Sequence, residues 1–173
     1  MYPSWMQALD VNDDQRRTGR ALGIDYGQKR IGLALSDASG LLARPWKVVP
    51  RTGNSLQVAA ALAAEVRGLE AADEAVGVVV IGYPRRLSGE ANEQTVAVQK
   101  VSDQLRGLLS IPVVLQDERL SSHEAYELLS RSEKDWRKRK LLLDAMSAAV
   151  ILQDYLDTGG SAQPGSGTED VNT

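Results

Sequence analysis

The chain has no cysteine and a single histidine among its 173 residues. Neither a disulfide, within or between chains, nor a cysteine-ligated metal centre is therefore available to it. It also lacks any apolar run long enough to span a membrane, and its polar N-terminus does not read as a signal peptide. A cytoplasmic location with no membrane partner is expected. No internal repeat is evident. Nor is positive charge in excess: 20 Lys and Arg stand against 23 Asp and Glu, a net charge of −3. That balance argues against a protein that coats nucleic acid through bulk charge. The remaining composition, 43% hydrophobic and 25% charged, is that of an ordinary globular protein, and the length suits one compact domain.

The chain is organised around residues 21–37, ALGIDYGQKRIGLALSD. They read as two short strands joined by a tight turn at Gly27-Gln28-Lys29-Arg30. Side chains alternate along a strand, so Leu22, Ile24 and Tyr26 share one face, and Gly23, Asp25 and Gly27 the other. Pairing Tyr26 with Ile31 gathers the bulky residues of both strands on one face and sets Asp25 opposite Gly32 on a face stripped of bulk. Aspartate is disfavoured within strands and glycine gives up packing there. A carboxylate on such a floor leaves room for a metal ion and a phosphate; the alternative is a partly exposed Asp beside a glycine turn.

The segments flanking this hairpin divide the chain. Residues 1–19 are polar and aperiodic and are expected to be a disordered extension, although Trp5 is an odd residue to leave in water. Leu42–Val49 reads as a third antiparallel strand, placed at a sheet edge by Pro45. Asn54 caps a predicted helix ending near Leu69, and Ala75–Ile81 is a continuous apolar run typical of a strand buried on both faces. A loop at residues 82–90 precedes a second helix, about Asn92–Leu109, and Ile111–Gln116 reads as another buried strand. Ser121-x-x-Glu124 is a capping box for a short helix. A last helix is expected over about Arg139–Leu156, apolar nearly all round and hence largely buried. The Gly/Ser-rich residues 158–173 have nothing to bury and should be disordered. This order implies an α/β fold over residues 20–157. Its five-stranded mixed sheet has three antiparallel strands, then two parallel ones, and helices on both faces.

Three acids invite chemistry. Asp25 lies on the cleared face, Glu118 just past a strand end, and Asp144 inside the apolar run Leu141–Leu152. For Glu118 the alternative is a turn residue. For Asp144 it is an i, i+4 ion pair with Lys140, worth a few tenths of a kcal/mol. Such a pair does not explain an acid flanked by Ala145, Ser147, Ala148 and Ala149, whose small size would let the helix approach the sheet and bring Asp144 near Asp25. At an effective dielectric of about 20, two carboxylates about 4 Å apart repel by roughly 4 kcal/mol. A divalent cation removes that penalty, and an all-oxygen set favours Mg²⁺ or Mn²⁺. Two such ions can activate water and stabilise the leaving oxygen of a phosphodiester.

The cations are unevenly placed. Lys29 and Arg30, Arg85 and Arg86, Arg119, and Arg137, Lys138, Arg139 and Lys140 are candidate contacts to nucleic acid; solvated charged turns or faces are the alternative. Trp136, within the basic segment, either stacks on a base or anchors its loop. His123 reads as an ordinary exposed residue of the short helix.

Gly23-Ile-Asp25-Tyr-Gly27-x-Lys29-Arg30-Ile-Gly32, Asp117-Glu118-Arg119-Leu-Ser-Ser, and Lys140 through Asp144-x-x-x-Ala148-Ala149-x-Ile151-Leu152-Gln153 together resemble the YqgF/RuvX family. Its members are bacterial RNase H-like nucleases that go by the names of pre-16S rRNA nuclease and Holliday junction resolvase. The resemblance spans roughly residues 20–157 and implies an RNase H-like fold, with Asp25, Glu118 and Asp144 at the family's acidic positions. It implies a metal-dependent nuclease acting at the 5′ end of pre-16S rRNA or, alternatively, on branched DNA, as a monomer or weak homodimer. One departure is Gly82-Tyr83-Pro84, where the family usually has Gly-Leu-Pro, with Arg85-Arg86 in place of the usual Leu-Asn character. Two rivals fit less well. The hairpin also resembles the phosphate loop of actin-like ATPases and sugar kinases, but they need a second copy of it. A non-catalytic nucleic-acid-binding module has no need of Asp144.

Overall fold

The computed structural model describes residues 19–84, 92–117 and 135–159. Strands β1 (Arg20–Tyr26) and β2 (Arg30–Ser36) pair antiparallel, with Tyr26 opposite Ile31 and Asp25 opposite Gly32. This is the register that the alternation of bulky and small residues predicts. Strand β3 (Ala43–Pro50) adds antiparallel to β2, β4 (Val76–Tyr83) runs parallel to β1, and β5 (Val113–Asp117) parallel to β4. The five-stranded sheet has the order β3-β2-β1-β4-β5, three antiparallel strands followed by two parallel ones. Pro45 lies on the edge strand, next to a shift in the β2–β3 register, where its missing N–H costs the ladder nothing. Strand β5 forms the opposite edge and is only half-buried, which corrects the expectation of a strand buried on both faces. Central β4 meets that expectation, with Val79 and Ile81 in one core and Val80 in the other.

Three helices cover the sheet among the described residues: α1 (Ser55–Ala71), α2 (Glu93–Leu108) and α3 (Trp136–Asp157). Asn54 caps α1 by accepting from the Gln57 N–H at 2.9 Å, while the Gln57 side chain accepts in return from the Asn54 N–H. Asn92 and Thr95 repeat the device on α2. Helices α1 and α2 pack on the face that carries Leu22, Ile24, Tyr26, Ile31 and Leu33. Helix α3 packs on the other face, where Ala148, Ala149, Ile151 and Leu152 meet Ala21, Ala34 and Val80.

Helix α3 starts three residues before the expected Arg139, because Asp135 caps it by accepting from the Arg137 N–H at 3.0 Å. Arg137, Lys138, Arg139 and Lys140 therefore stand at the beginning of the helix rather than in a segment leading to it. The helix is also less buried than its apolar composition suggests. Leu141 and Leu142 are exposed, and the buried residues form one stripe. The short helix expected after Ser121, with its capping box and His123, lies outside the described residues, as do residues 1–18 and 160–173.

Two glycines let α3 rest its backbone on the sheet. A Cβ at Gly32 would stand 1.8 Å from the carbonyl oxygen of Asp144. One at Gly23 would stand 2.7 Å from Leu152 Cβ and 2.8 Å from the Ala148 carbonyl oxygen. Both obstacles include backbone of a packed helix, which cannot swing aside. Gly32→Ala is therefore expected to destabilise the fold by about 3 kcal/mol or more in urea unfolding, the upper range of overpacking effects. Gly68→Ala, on the open side of α1 with no neighbour within 4 Å of its Cβ, should instead raise stability by up to about 1 kcal/mol. Equal stability of Gly32→Ala and wild type would show that the close approach is dispensable.

Candidate active site

The candidate site lies on the small-residue face of β1 and β2, under the helix laid on it. Asp25 is the penultimate residue of β1 and half-buried. Its cross-strand partner is Gly32, and Gly32 is the residue against which the Asp144 backbone rests. The two carboxylate-bearing residues are thus brought together on one face of the sheet, as the small residues around each predicted. The same alternation puts Arg30 on this face, two residues before Gly32.

Asp144 is held by Arg30. The Arg30 Nε–H donates to Asp144 Oδ2 at 2.7 Å, and the two side chains are 29% and 27% exposed, so the pair is sheltered without being dry. It links residues 114 apart in sequence, from β2 to α3. The ion pair considered from sequence, Lys140 with Asp144, is replaced by this one; Lys140 is exposed. Repulsion between the acids is therefore met in part by the protein itself.

The other proposed nucleic-acid contacts fall around this face or outside the described residues. Lys29 is exposed at the tip of the β1–β2 turn. Arg137, Lys138 and Lys140 are exposed at the start of α3, and Arg139 is half-buried. Glu118 and Arg119 follow directly on the end of β5 and lie outside the described residues, as do Arg85 and Arg86 after Pro84. Asp117 belongs with Val113 and Leu115 on the α1–α2 face of the sheet, away from Asp25. A cleft of about 400 Å³ lined by Arg20, Asp37, Arg44 and Trp46 lies at the other end of β1 and touches none of these acids.

Among the described residues no group of three metal-ligating side chains is assembled, Glu118 being outside them. Asp25 and Asp144 nevertheless suit a hard divalent cation, since both supply carboxylate oxygen on one face of the sheet.

Arg51 escaped the reading of the sequence, where it is one more cation after a proline. It stacks on the Tyr26 ring, 4.2 Å from the centroid, and its Nη1 donates to the Gly27 carbonyl at 2.9 Å. The Gln94 side chain, from the first turn of α2, donates to the Tyr26 carbonyl. Together they pin the end of β1 just after Asp25. Burial pushes the Tyr26 phenol above its ordinary pKa, and the Arg51 guanidinium pulls it partly back. The folded state thus holds this proton more tightly than the unfolded chain. The linked stability is complete below about pH 10 and is lost as pH rises through the folded pKa. Arg51→Ala should cost about 1–2 kcal/mol at neutral pH and raise the Tyr26 pKa further, read by ¹³C-tyrosine NMR. A pKa that stays put or falls would remove Arg51 from this role.

Comparison with known proteins agrees with the geometry. The family model RuvX, described as Holliday junction resolvase, matches residues 19–158. A Syntrophus aciditrophicus protein named "Putative pre-16S rRNA nuclease" is 43% identical over 140 residues, covering 80% of this chain and 88% of that one. A Geobacillus kaustophilus protein of the same name is 35% identical over 143 residues, covering 80% and 98%. Among solved structures, T. thermophilus RuvC in complex with a Holliday junction substrate superposes with a TM-score of 0.50 at 18% identity, covering 82% of this chain and 97% of that one. At that identity the likeness speaks to the fold alone, which is RNase H-like. With residues 19–158 matched by the family model and four-fifths of its length matched by relatives, this chain belongs to the RuvX family.

Proposed function

We propose that this protein is a metal-dependent nuclease that hydrolyses phosphodiester bonds in structured RNA, acting in the cytoplasm at the 5′ end of pre-16S rRNA. The observation that carries it is that the Asp144 backbone rests on Gly32, the cross-strand partner of Asp25, which puts both acids on one face of the sheet. The close packing of α3 accounts for the glycine, but not for two acids on the face it serves. Asp25, Asp144 and Glu118 are proposed as the carboxylates that hold Mg²⁺ or Mn²⁺. When bound, the metal supplies an activated water and a stabilised leaving oxygen, in the manner of two-metal phosphodiester hydrolysis.

The rest is the work of the chain's own cations. Arg137, Lys138, Arg139 and Lys140 crowd the positive end of the α3 macrodipole, an unfavourable place for cations that a bound phosphate would relieve. They flank Asp144 by one to two turns, a position suited to holding the backbone of the strand beside the acids. Lys29 and Arg30 from the hairpin, with Arg85, Arg86 and Arg119 from the loops after β4 and β5, are proposed as further phosphate contacts. A monomer or weak homodimer suffices for RNA processing. The second reading, cleavage of four-way DNA junctions, is favoured by the description of the matching family model, and it requires two sites related by a two-fold axis.

The acids and the substrate are tested together. Asp25→Asn and Asp144→Asn remove charge at nearly constant volume. Each should lower cleavage of a structured RNA by at least about a hundredfold with Mn²⁺ in excess. A four-way junction assayed beside it should be cut more slowly by wild type. Near wild-type turnover in either variant would exclude that acid from the site, and faster cleavage of the junction would favour the second reading.

A further inference from the structure

Arg30 does something that the proposed reaction does not use. It approaches Asp144 from the neighbouring strand, and its Nε–H donates to that carboxylate at 2.7 Å. On the same face, Asp25 lies across from Gly32, one alternate position along β2 from Arg30. A guanidinium at this point is matched to the carboxylate and competes with any other cation for it.

We propose that Arg30 is the resident counter-ion of Asp144 and must leave it before a divalent cation loads, so that Arg30 sets the metal affinity of the protein. The inference rests on the reading of Asp144 as a metal ligand. It assigns Arg30 a positioning role rather than a catalytic one. In the metal-free protein the guanidinium shields Asp144 from Asp25 and holds α3 against β2. On loading, the carboxylate exchanges a monovalent partner for a divalent one, and the guanidinium turns to solvent or to substrate. Affinity is then lowered by the fraction of molecules in which Arg30 is docked. A docked population of about nine in ten weakens binding about tenfold.

The test is calorimetric titration of Mn²⁺ into the full chain without nucleic acid. Arg30→Gln keeps an amide donor and removes the charge. It should bind Mn²⁺ about tenfold more tightly than wild type and melt at a lower temperature in EDTA. Asp144→Asn should lose the binding event. If Asp144→Asn loses it while Arg30→Gln binds no more tightly than wild type, the role of Arg30 is overturned and the metal site stands. If Asp144→Asn binds as wild type does, the metal reading fails and takes this inference with it. Should Arg30→Gln not fold, the wild-type protein still decides. The Arg30 Nε–H is expected to be protected from solvent exchange without metal and to lose protection as Mg²⁺ saturates the site. Protection retained at saturation would overturn the proposal.

Discussion

Everything in this molecule that bears on function depends on how closely the backbone of α3 lies against β1 and β2. Helix and sheet normally keep their distance because side chains stand between them. Here Gly23 and Gly32 remove those side chains on the sheet, and Ala145, Ala148 and Ala149 remove them on the helix. The result is a backbone contact that no Cβ would permit, and it fixes both the height and the register of the helix over the strands. Asp144 can stand beside the position across from Asp25 only because the helix is that low. The other face of the sheet carries the larger apolar core, built with α1 and α2.

That geometry creates an electrostatic problem and partly answers it. Two half-buried carboxylates on one face are poor neighbours in a medium less polar than water. Arg30 supplies one positive charge at hydrogen-bond distance from Asp144. The four cations that open α3 stand at its positive pole, held there by the Asp135 cap. Acids thus lie on the face of the sheet that α3 covers, and cations at the start of that helix. This local clustering of cations stands on a protein whose overall charge is −3.

How much of this was legible in the sequence varies with the range of the interaction. The hairpin register was, because alternation of bulky and small residues over seven-residue strands leaves one pairing that sorts them. The edge position of β3 followed from Pro45, and the burial of β4 from its unbroken Val/Ile run. The cap at Asp135 was overlooked because four successive cations look like a loop, although an Asp ahead of them is a helix start. Partners were less legible than places. Arg30 was recognised as a cation near the turn, but its pairing with Asp144 depends on where a helix more than a hundred residues later comes down. Arg51 was missed for the same reason, since its stacking on Tyr26 is settled by the path of the chain leaving β3.

A metal site between β1, β2 and α3 is most directly tested by crystallography. Crystals grown or soaked with Mn²⁺ and measured near the manganese absorption edge would locate the ion by anomalous scattering. A peak coordinated by carboxylate oxygens of both Asp25 and Asp144 is expected, at oxygen-ligand distances of roughly 2.0–2.3 Å. Manganese bound elsewhere, or an empty floor at millimolar concentration with Arg30 still on Asp144, would contradict it.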